Sequence, residues 1–321
     1  MIRVGKSINE SIDNLKNGKI VVIPTETVYG LGVNALDEKA VDKVYKLKKR
    51  PYYDPLICHT DSIHKVKNFV KTFPRKAEIL AKNFWPGPLT ILLEKKKIIP
   101  DITTSKLKRV GFRIPNNKLT LSILEKINFP VAAPSANPFG YISPTLPKHI
   151  LSMFKNDISY ILDDGGCDVG IESTIVGFEN KKTLVYRVGG ITIEKLEKVI
   201  GKVEIFKKNI TFPESSGMLK NHYSPKKDLI IGEIRTLIKK YKNNKIGILS
   251  YNKYYEGINL KNQIILSKNL NLEEASRNLY KSLHSLDNMN IDLILTSLLP
   301  NNGIGESIND RIIKASKKNE L

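Results

Sequence analysis

Short apolar runs and helical stripes alternate along the chain, and their order predicts its architecture. Ser7-Ile8-Asn9-Glu10 has the form of a capping box, so a helix should open there and close at Gly18. The run 19–23 reads as a buried strand halted by Pro24. Ala40, Val41, Val44, Tyr45 and Leu47 recur at helical spacing, and 75–84 is a further helix, ended by Trp85-Pro86-Gly87-Pro88. Strands are expected at 56–59, 89–93, 110–114, 130–132, 160–162, 174–176 and 184–187, before a helix over 192–200. This mixture predicts an α/β layered domain over residues 1–204.

Beyond residue 204 the periodicity fails. Pro213, Ser215-Ser216-Gly217 and Ser224-Pro225 mark an interdomain linker over 205–226. Strands at 229–231, 246–249, 263–266 and 293–295 then alternate with helices over 232–241, 272–286 and 307–315. That alternation predicts a small Rossmann-like α/β/α domain over 227–321.

Composition changes this picture little. The 321 residues suffice for two cores, and 41% apolar with 26% charged residues excludes wholesale disorder. No apolar run approaches the roughly 20 residues that span a bilayer, and Met1 to Glu10 lacks a secretory pattern. Cys58 and Cys167 stand far apart and outside any ligand spacing, which excludes a disulfide framework or zinc site and fits a reducing cytoplasm. The formal charge of +20 has two readings. Clustered cations would gain affinity for RNA by counterion release. The basic runs Lys95-Lys96-Lys97 and Lys207-Lys208 are scattered, however, without aromatic interleaving. Solvated surface is the favoured reading, with weak tRNA binding the remaining expectation from charge.

Candidate chemistry lies in the first half. Arg50 precedes Pro51 and is pushed toward extended backbone, which would set Lys48 and Arg50 side by side. By the same rule Ser135 would lie beside Asn137, and Ser143 adds a hydroxyl before Pro144. Two cations with hydroxyl and amide groups suit a triphosphate and its ribose. Removing either cation is expected to leave the fold near intact. Gly30-Leu31-Gly32-Val33-Asn34-Ala35 fits a dinucleotide pattern, but six residues separate it from the preceding strand, so a turn or packing role is expected. Gly165-Gly166 with Gly170 lacks the ending of a phosphate loop. Asp163-Asp164 would point to opposite faces of a strand, and no metal site is expected.

Taken together, these segments resemble the YrdC-type threonylcarbamoyl-AMP synthases. The resemblance is carried by Pro24-Thr25-Glu26-Thr27-Val28-Tyr29-Gly30-Leu31-Gly32, by Lys48-x-Arg50-Pro51, and by Asp54-Pro55-Leu56-Ile57-x-His59. Trp85-Pro86-Gly87-Pro88, Val110-Gly111-Phe112-Arg113-Ile114-Pro115, Ala133-Pro134-Ser135-Ala136-Asn137 and Ser143-Pro144-Thr145 follow in the family's order. So do Asp164-Gly165-Gly166 and Glu172-Ser173-Thr174. Gly217-Met218, His222-Tyr223-Ser224-Pro225, Gly303-x-Gly305 and Asn309-x-Arg311 are similar to its two-domain form. The chain departs at Arg187-Val188-Gly189, where the family usually has Arg-Pro-Gly, and at Asn137-Pro138-Phe139-Gly140, which replaces a small, polar stretch.

The resemblance implies a YrdC-like twisted mixed-sheet domain and a reaction. L-threonine, bicarbonate and ATP, which brings Mg2+, would give threonylcarbamoyl-AMP and pyrophosphate for tRNA modification. It implies Lys48 and Arg50 as electrostatic catalysts, and Arg187 on the phosphates. Ser135, Asn137 and Ser143 would hold the nucleotide, with Tyr223 as a lid. Thr25, His59, Arg113, Ala133 and Ser173 would hold threonine, Arg113 through its carboxylate. A tRNA-modifying threonylcarbamoyl transferase complex would receive the product. An RNA-binding module and a carbamoyl-transfer enzyme are the competing readings.

Overall fold

The computed structural model describes residues 2–154, 157–180, 182–206, 215 and 222–319. Most of the expected 205–226 linker, including Ser216-Gly217-Met218-Leu219-Lys220-Asn221, and the Lys207-Lys208 run lie outside the described residues. Ser7 does cap the first helix, Ile8–Lys16, its Oγ accepting from Glu10 N at 3.2 Å.

The larger sheet has eleven strands among the described residues. In chain order they are β1 (Arg3–Gly5), β2 (Val21–Ile23), β3 (Gly30–Asn34), β4 (Ile57–His59), β5 (Leu89–Glu94) and β6 (Arg109–Arg113). Next come β7 (Val131–Ala132), β8 (Tyr160–Leu162), β9 (Thr174–Glu179), β10 (Lys182–Arg187) and β11 (Glu204–Ile205). Their spatial order is β1-β8-β2-β3-β7-β4-β6-β5-β9-β10-β11, with parallel and antiparallel pairs mixed. Both faces are covered. Val21, Ile23 and Val131 pack with helices Ile8–Lys16 and Lys118–Glu125. Val22 and Ala132 point the other way, into the core of helices Glu38–Lys48, Ile63–Phe69, Arg75–Phe84 and Ile193–Ile200. Period-two alternation is what lets one strand feed two cores.

Of the turn or packing role expected for 30–35, β3 shows the packing role. It pairs antiparallel with β2, and its glycines serve packing. A Cβ on Gly30 would meet the Ala133 Cβ at 3.0 Å, so only glycine lets β3 lie against the 133–135 segment.

The second sheet contains β12 (Asp228–Ile231), β13 (Ile246–Ser250), β14 (Gln263–Ile265) and β15 (Leu293–Thr296), with β16 (Lys318–Asn319) on its edge. The order is β14-β13-β15-β12-β16 and every pair is parallel. Ile230, Ile248 and Leu295 face helix Ile234–Lys240; Leu229, Leu249 and Ile294 face helices Leu272–Asp287 and Ile304–Ala315. This is the expected α/β/α sandwich. Among the described residues no helix is long and apolar enough to cross a membrane.

Candidate active site

The C-terminal ends of parallel strands bring the first pair of site residues together. β4 and β6 run side by side in register His59 with Arg113. β10 ends on Arg187, and an irregularity between Val185 and Arg187 re-aims that side chain inward. Around these ends lies a pocket walled by Thr27, His59, Arg113, Ser135, Ser173 and Arg187, among others, and roofed by His222 and Tyr223. Ala133 is also in the wall. The space left for the centres of water-sized molecules is only about 40 Å³, little more than room for a water or two. The site is therefore closed on itself. A wider cleft at Lys19, Lys43, Lys46 and Asp157 contains none of the candidate residues.

Five expected residues stand just behind that wall. Thr25 folds onto its own turn, accepting from Thr27 N and Val28 N at 3.2 Å and donating to Val28 O at 2.6 Å. Its neighbour Thr27 reaches the pocket instead. Asn137 is turned into its loop, its amide nitrogen donating to Pro138 O at 2.9 Å and Tyr141 O at 2.8 Å. Ser143 donates to Glu172 at 2.7 Å. Lys48 donates to Ser135 O and Asn137 O at 2.5 Å, and Arg50 binds Asp54 O and Pro55 O at 2.9 Å.

The two cations are neighbours for a different reason than the extended backbone expected of them. Lys48 is the last residue of helix Glu38–Lys48, and Lys49 caps it in the left-handed region, φ 53°. That cap turns the chain at once into Arg50. Burial holds the Lys48 ammonium well below its ordinary pKa, and adjacent Arg50 pushes the same way.

Arg50 is also tied into the fold, contrary to expectation. Its Nη2 lies 2.9 Å from Asp54 Oδ2, and both side chains are almost wholly buried. Arg50→Ala would remove the ion-pair partner of buried Asp54 and leave only the more distant Lys48 and Arg187, so it is expected to lower stability by about 3–5 kcal/mol. A urea midpoint within error of wild type would refute this.

Arg113 is held from three sides: its Nε donates to Gly87 O at 3.3 Å, Nη1 to Thr27 Oγ1 at 2.8 Å, and Nη2 lies 2.7 Å from Glu26. Among the described residues the Nη2 nitrogen nevertheless has no aligned acceptor, and neither His222 Nδ1 nor Tyr223 Oη has a hydrogen-bond partner. Buried polar atoms left this way around one pocket mark it as a place able to take up a ligand or water. Ser173 Oγ bridges Thr90 Oγ1 at 2.8 Å and receives Arg187 Nη2 at 3.1 Å. His59 Nδ1 lies 3.3 Å from Val131 O, and burial followed by Arg113 drives its pKa down to about 3, so the ring is neutral.

Charge completes the description. Lys48, Arg50, Arg113, Arg187 and Arg311 are all buried here, against the buried carboxylates Glu26, Asp54 and Glu172. Five cations facing three anions leave a surplus of positive charge that solvent does not screen. Motif residues Glu26, Glu172 and Arg311, with Tyr280, received no role from the sequence. Glu26 and Glu172 were visible in the quoted motifs, but their partners lie far along the chain. Phe139, one of the departures, packs edge-on to His222 with centroids 5.8 Å apart.

Comparison with known proteins agrees with this geometry. The family described as Telomere recombination matches residues 13–189, and that described as Threonylcarbamoyl-AMP synthase, C-terminal domain, matches 191–317. The threonylcarbamoyl-AMP synthase of Pyrococcus abyssi is 36% identical over 94% of this chain and 92% of its own. That of Bacillus subtilis is 35% identical over 94% and 90%. The crystal structure of P. abyssi Sua5 complexed with L-threonine superposes with a TM-score of 0.91, covering 98% of this chain and 97% of that one at 36% identity. With both domains, nearly the whole length and the fold matched, the chain belongs to the threonylcarbamoyl-AMP synthase family in its two-domain, Sua5 form.

Proposed function

We propose that this enzyme, a threonylcarbamoyl-AMP synthase, works through the closed pocket between the strand ends and the 222–223 roof. The observation that carries the assignment is the buried surplus of cations around polar atoms that lack partners. Threonine is placed against Thr27, His59, Ala133 and Ser173, with Thr25 behind Thr27, its carboxylate on the guanidinium of Arg113, whose Nη2 it would share with Glu26. The neutral His59 adds no competing charge there. ATP is placed along Lys48, Arg50 and Arg187, with Ser135, Asn137 and Ser143 on the nucleotide.

The chemistry needs no protein nucleophile. The threonine amine attacks carbon dioxide released from bicarbonate, and its proton leaves with the bicarbonate hydroxide as water, giving a carbamate. A carbamate oxygen then attacks the α-phosphorus, and the bond to pyrophosphate breaks in line. Negative charge grows on the phosphate oxygens, where fixed cations stabilise it without reorganising. Magnesium enters with ATP as part of the substrate. Among the described residues no three His, Cys, Asp or Glu side chains gather as a ligand set. Asp163 instead accepts from Gly165 N at 2.8 Å and Asp164 from Asn117 at 2.7 Å.

Entry of ATP requires the roof to move. Tyr223 is 1% exposed and holds φ 66°, a region costly for a bulky residue. It is kept there by Arg311, 5.2 Å from the ring centroid, and by stacking on Tyr280 at 5.8 Å. Swinging it out opens the site, and its return excludes water from the adenylate. The division into a catalytic domain 1–204, a linker 205–226 and a domain 227–321 suits this motion. The labile product requires an acceptor close by, which we identify with a tRNA-modifying threonylcarbamoyl transferase complex. The free, buried thiols Cys58 and Cys167 suit a reducing cytoplasm.

Pyrophosphate release is expected only when threonine, bicarbonate and MgATP are all present, together with a threonylcarbamoyl adenylate detected by mass spectrometry. Release at the full rate without threonine would overturn this reading.

A further inference from the structure

A buried relay of side chains runs from the C-terminal domain to the wall of the nucleotide site. Its centre is Glu172, in the loop before β9, only 6% exposed. Arg311 Nε donates to its Oε2 at 2.8 Å. Tyr280 Oη lies 2.9 Å from Oε2 and 3.1 Å from Oε1. Ser143 Oγ donates to Oε1 at 2.7 Å. Arg311 and Tyr280 stand on the two helices covering one face of the small sheet, whereas Glu172 and Ser143 belong to the large domain.

The electrostatics make this arrangement rigid. Burial alone would raise the Glu172 carboxyl, yet Arg311 and Arg187, with the hydrogen bonds, hold it at about 2. An ionised carboxylate only accepts hydrogen bonds, so the Ser143 proton is committed to Oε1 and only lone pairs remain for a ligand. Tyr280 straddles both oxygens and fixes the plane of the group. The same Arg311 and Tyr280 carry the Tyr223 ring.

We infer that Arg311 and Tyr280 are positioning residues for adenylate formation: through Glu172 they turn the Ser143 proton away and leave the lone pairs of its Oγ to accept from the nucleotide, making the nucleotide site dependent on the C-terminal domain. This rests on the reading of Ser143 as a nucleotide-holding residue. Ser173, beside Glu172 in the chain, is held by Thr90 and Arg187 and not by Glu172, so the effect should fall mainly on ATP.

The test is a double-substitution cycle in the full-length enzyme, measuring KM for ATP and for threonine by pyrophosphate release. Tyr280→Phe keeps the ring and removes one hydrogen bond. It is expected to raise KM for ATP by about three- to tenfold, the range for one ordinary hydrogen bond, since Tyr280 reaches ATP only through Glu172 and Ser143, with KM for threonine within about twofold. Arg311→Lys, which keeps the charge, should shift the same parameter. Ser143→Ala should raise KM for ATP, and adding Tyr280→Phe to it should change nothing further, because the relay then has no end. Ser276→Ala, which removes a different interdomain bond (Ser276 Oγ to Val169 O, 2.7 Å), should leave both KM values at wild type. A wild-type KM for ATP in Tyr280→Phe overturns the relay, as does an equal rise in Ser276→Ala. So does full additivity of Tyr280→Phe with an impaired Ser143→Ala. A wild-type KM for ATP in Ser143→Ala overturns the nucleotide role of Ser143, and the relay with it.

Discussion

Lys48→Met is expected to slow adenylate formation by about two to three orders of magnitude, the usual effect of removing a key electrostatic donor, while leaving the thermal midpoint within a few degrees of wild type. The two halves of this expectation have different causes. Lys48 is the most deeply buried of the proposed phosphate cations, 1% exposed, and among the described residues its ammonium is satisfied only by the carbonyls of Ser135 and Asn137. Keeping it charged there costs stability, as its strongly lowered pKa records. Methionine fills nearly the same volume and removes that cost. It also leaves two carbonyls without a donor, at about 1–3 kcal/mol each. Relief of charge burial is worth several kcal/mol, so the opposing effects nearly cancel in stability. In the reaction nothing cancels them, because no other cation sits on those carbonyls.

Rapid-quench measurement of pyrophosphate release alongside a thermal melt separates the cases. A large fall in both would make Lys48 a structural post. Wild-type turnover would remove it from the mechanism. The contrast with Arg50 is informative, since Arg50 neutralises Asp54 and its loss is expected to damage the fold first. Neighbouring cations of one motif thus stand in different regimes, one under strain for activity and one in a buried ion pair.

Much of this molecule was legible in its sequence, and the exceptions have physical causes. Apolar runs such as 89–93 and 246–249 lie in central strands buried on both faces, so composition alone marked them. The β3 strand was missed because Gly30 and Gly32 dilute the apolar signal where close packing requires glycine. The helix Lys118–Glu125 went unnoticed, although Asn117 caps it by accepting from Thr120 N at 3.0 Å. Motif residues at strand ends, His59, Arg113 and Arg187, do meet in one pocket. The Lys48 and Arg50 geometry was misread because a proline rule was applied to a helix end, where the left-handed Lys49 governs direction. The partners of Glu172 were beyond reach, since 108 and 139 positions separate it from Tyr280 and Arg311. Local pattern carries no information about such pairs.

Acid should unfold this enzyme steeply, because four of its five histidines are buried in their neutral form. Burial is the leading cause in each, lowering His59, His149 and His222 to about 3 and His284 to about 4. Their surroundings add to it. Arg113 faces His59, and Arg50, Lys48 and Arg187 face His222, with Glu172 opposing them. His149 and His284 stack across the domain interface with centroids 4.0 Å apart, so His284 disfavours charge on His149, while Ser143 O and Asp287 oppose burial at His284. An unfolded histidine titrates near 6.5, so the unfolded chain takes up protons that the native protein refuses. The contribution of these groups is fully present above about pH 6.5 and is lost as pH falls toward 3–4. Each group adds about 1.4 kcal/mol per pH unit in that window, so four together remove on the order of 7 kcal/mol between pH 7 and 5. That is comparable with the whole stability of a typical domain. Urea unfolding at a series of pH values gives the slope directly. A His149→Gln/His284→Gln enzyme should show about half of it, since the interface pair supplies two of the four protons. A stability flat from pH 7 to 5 would show that these rings are already charged, or already wet, in the native state.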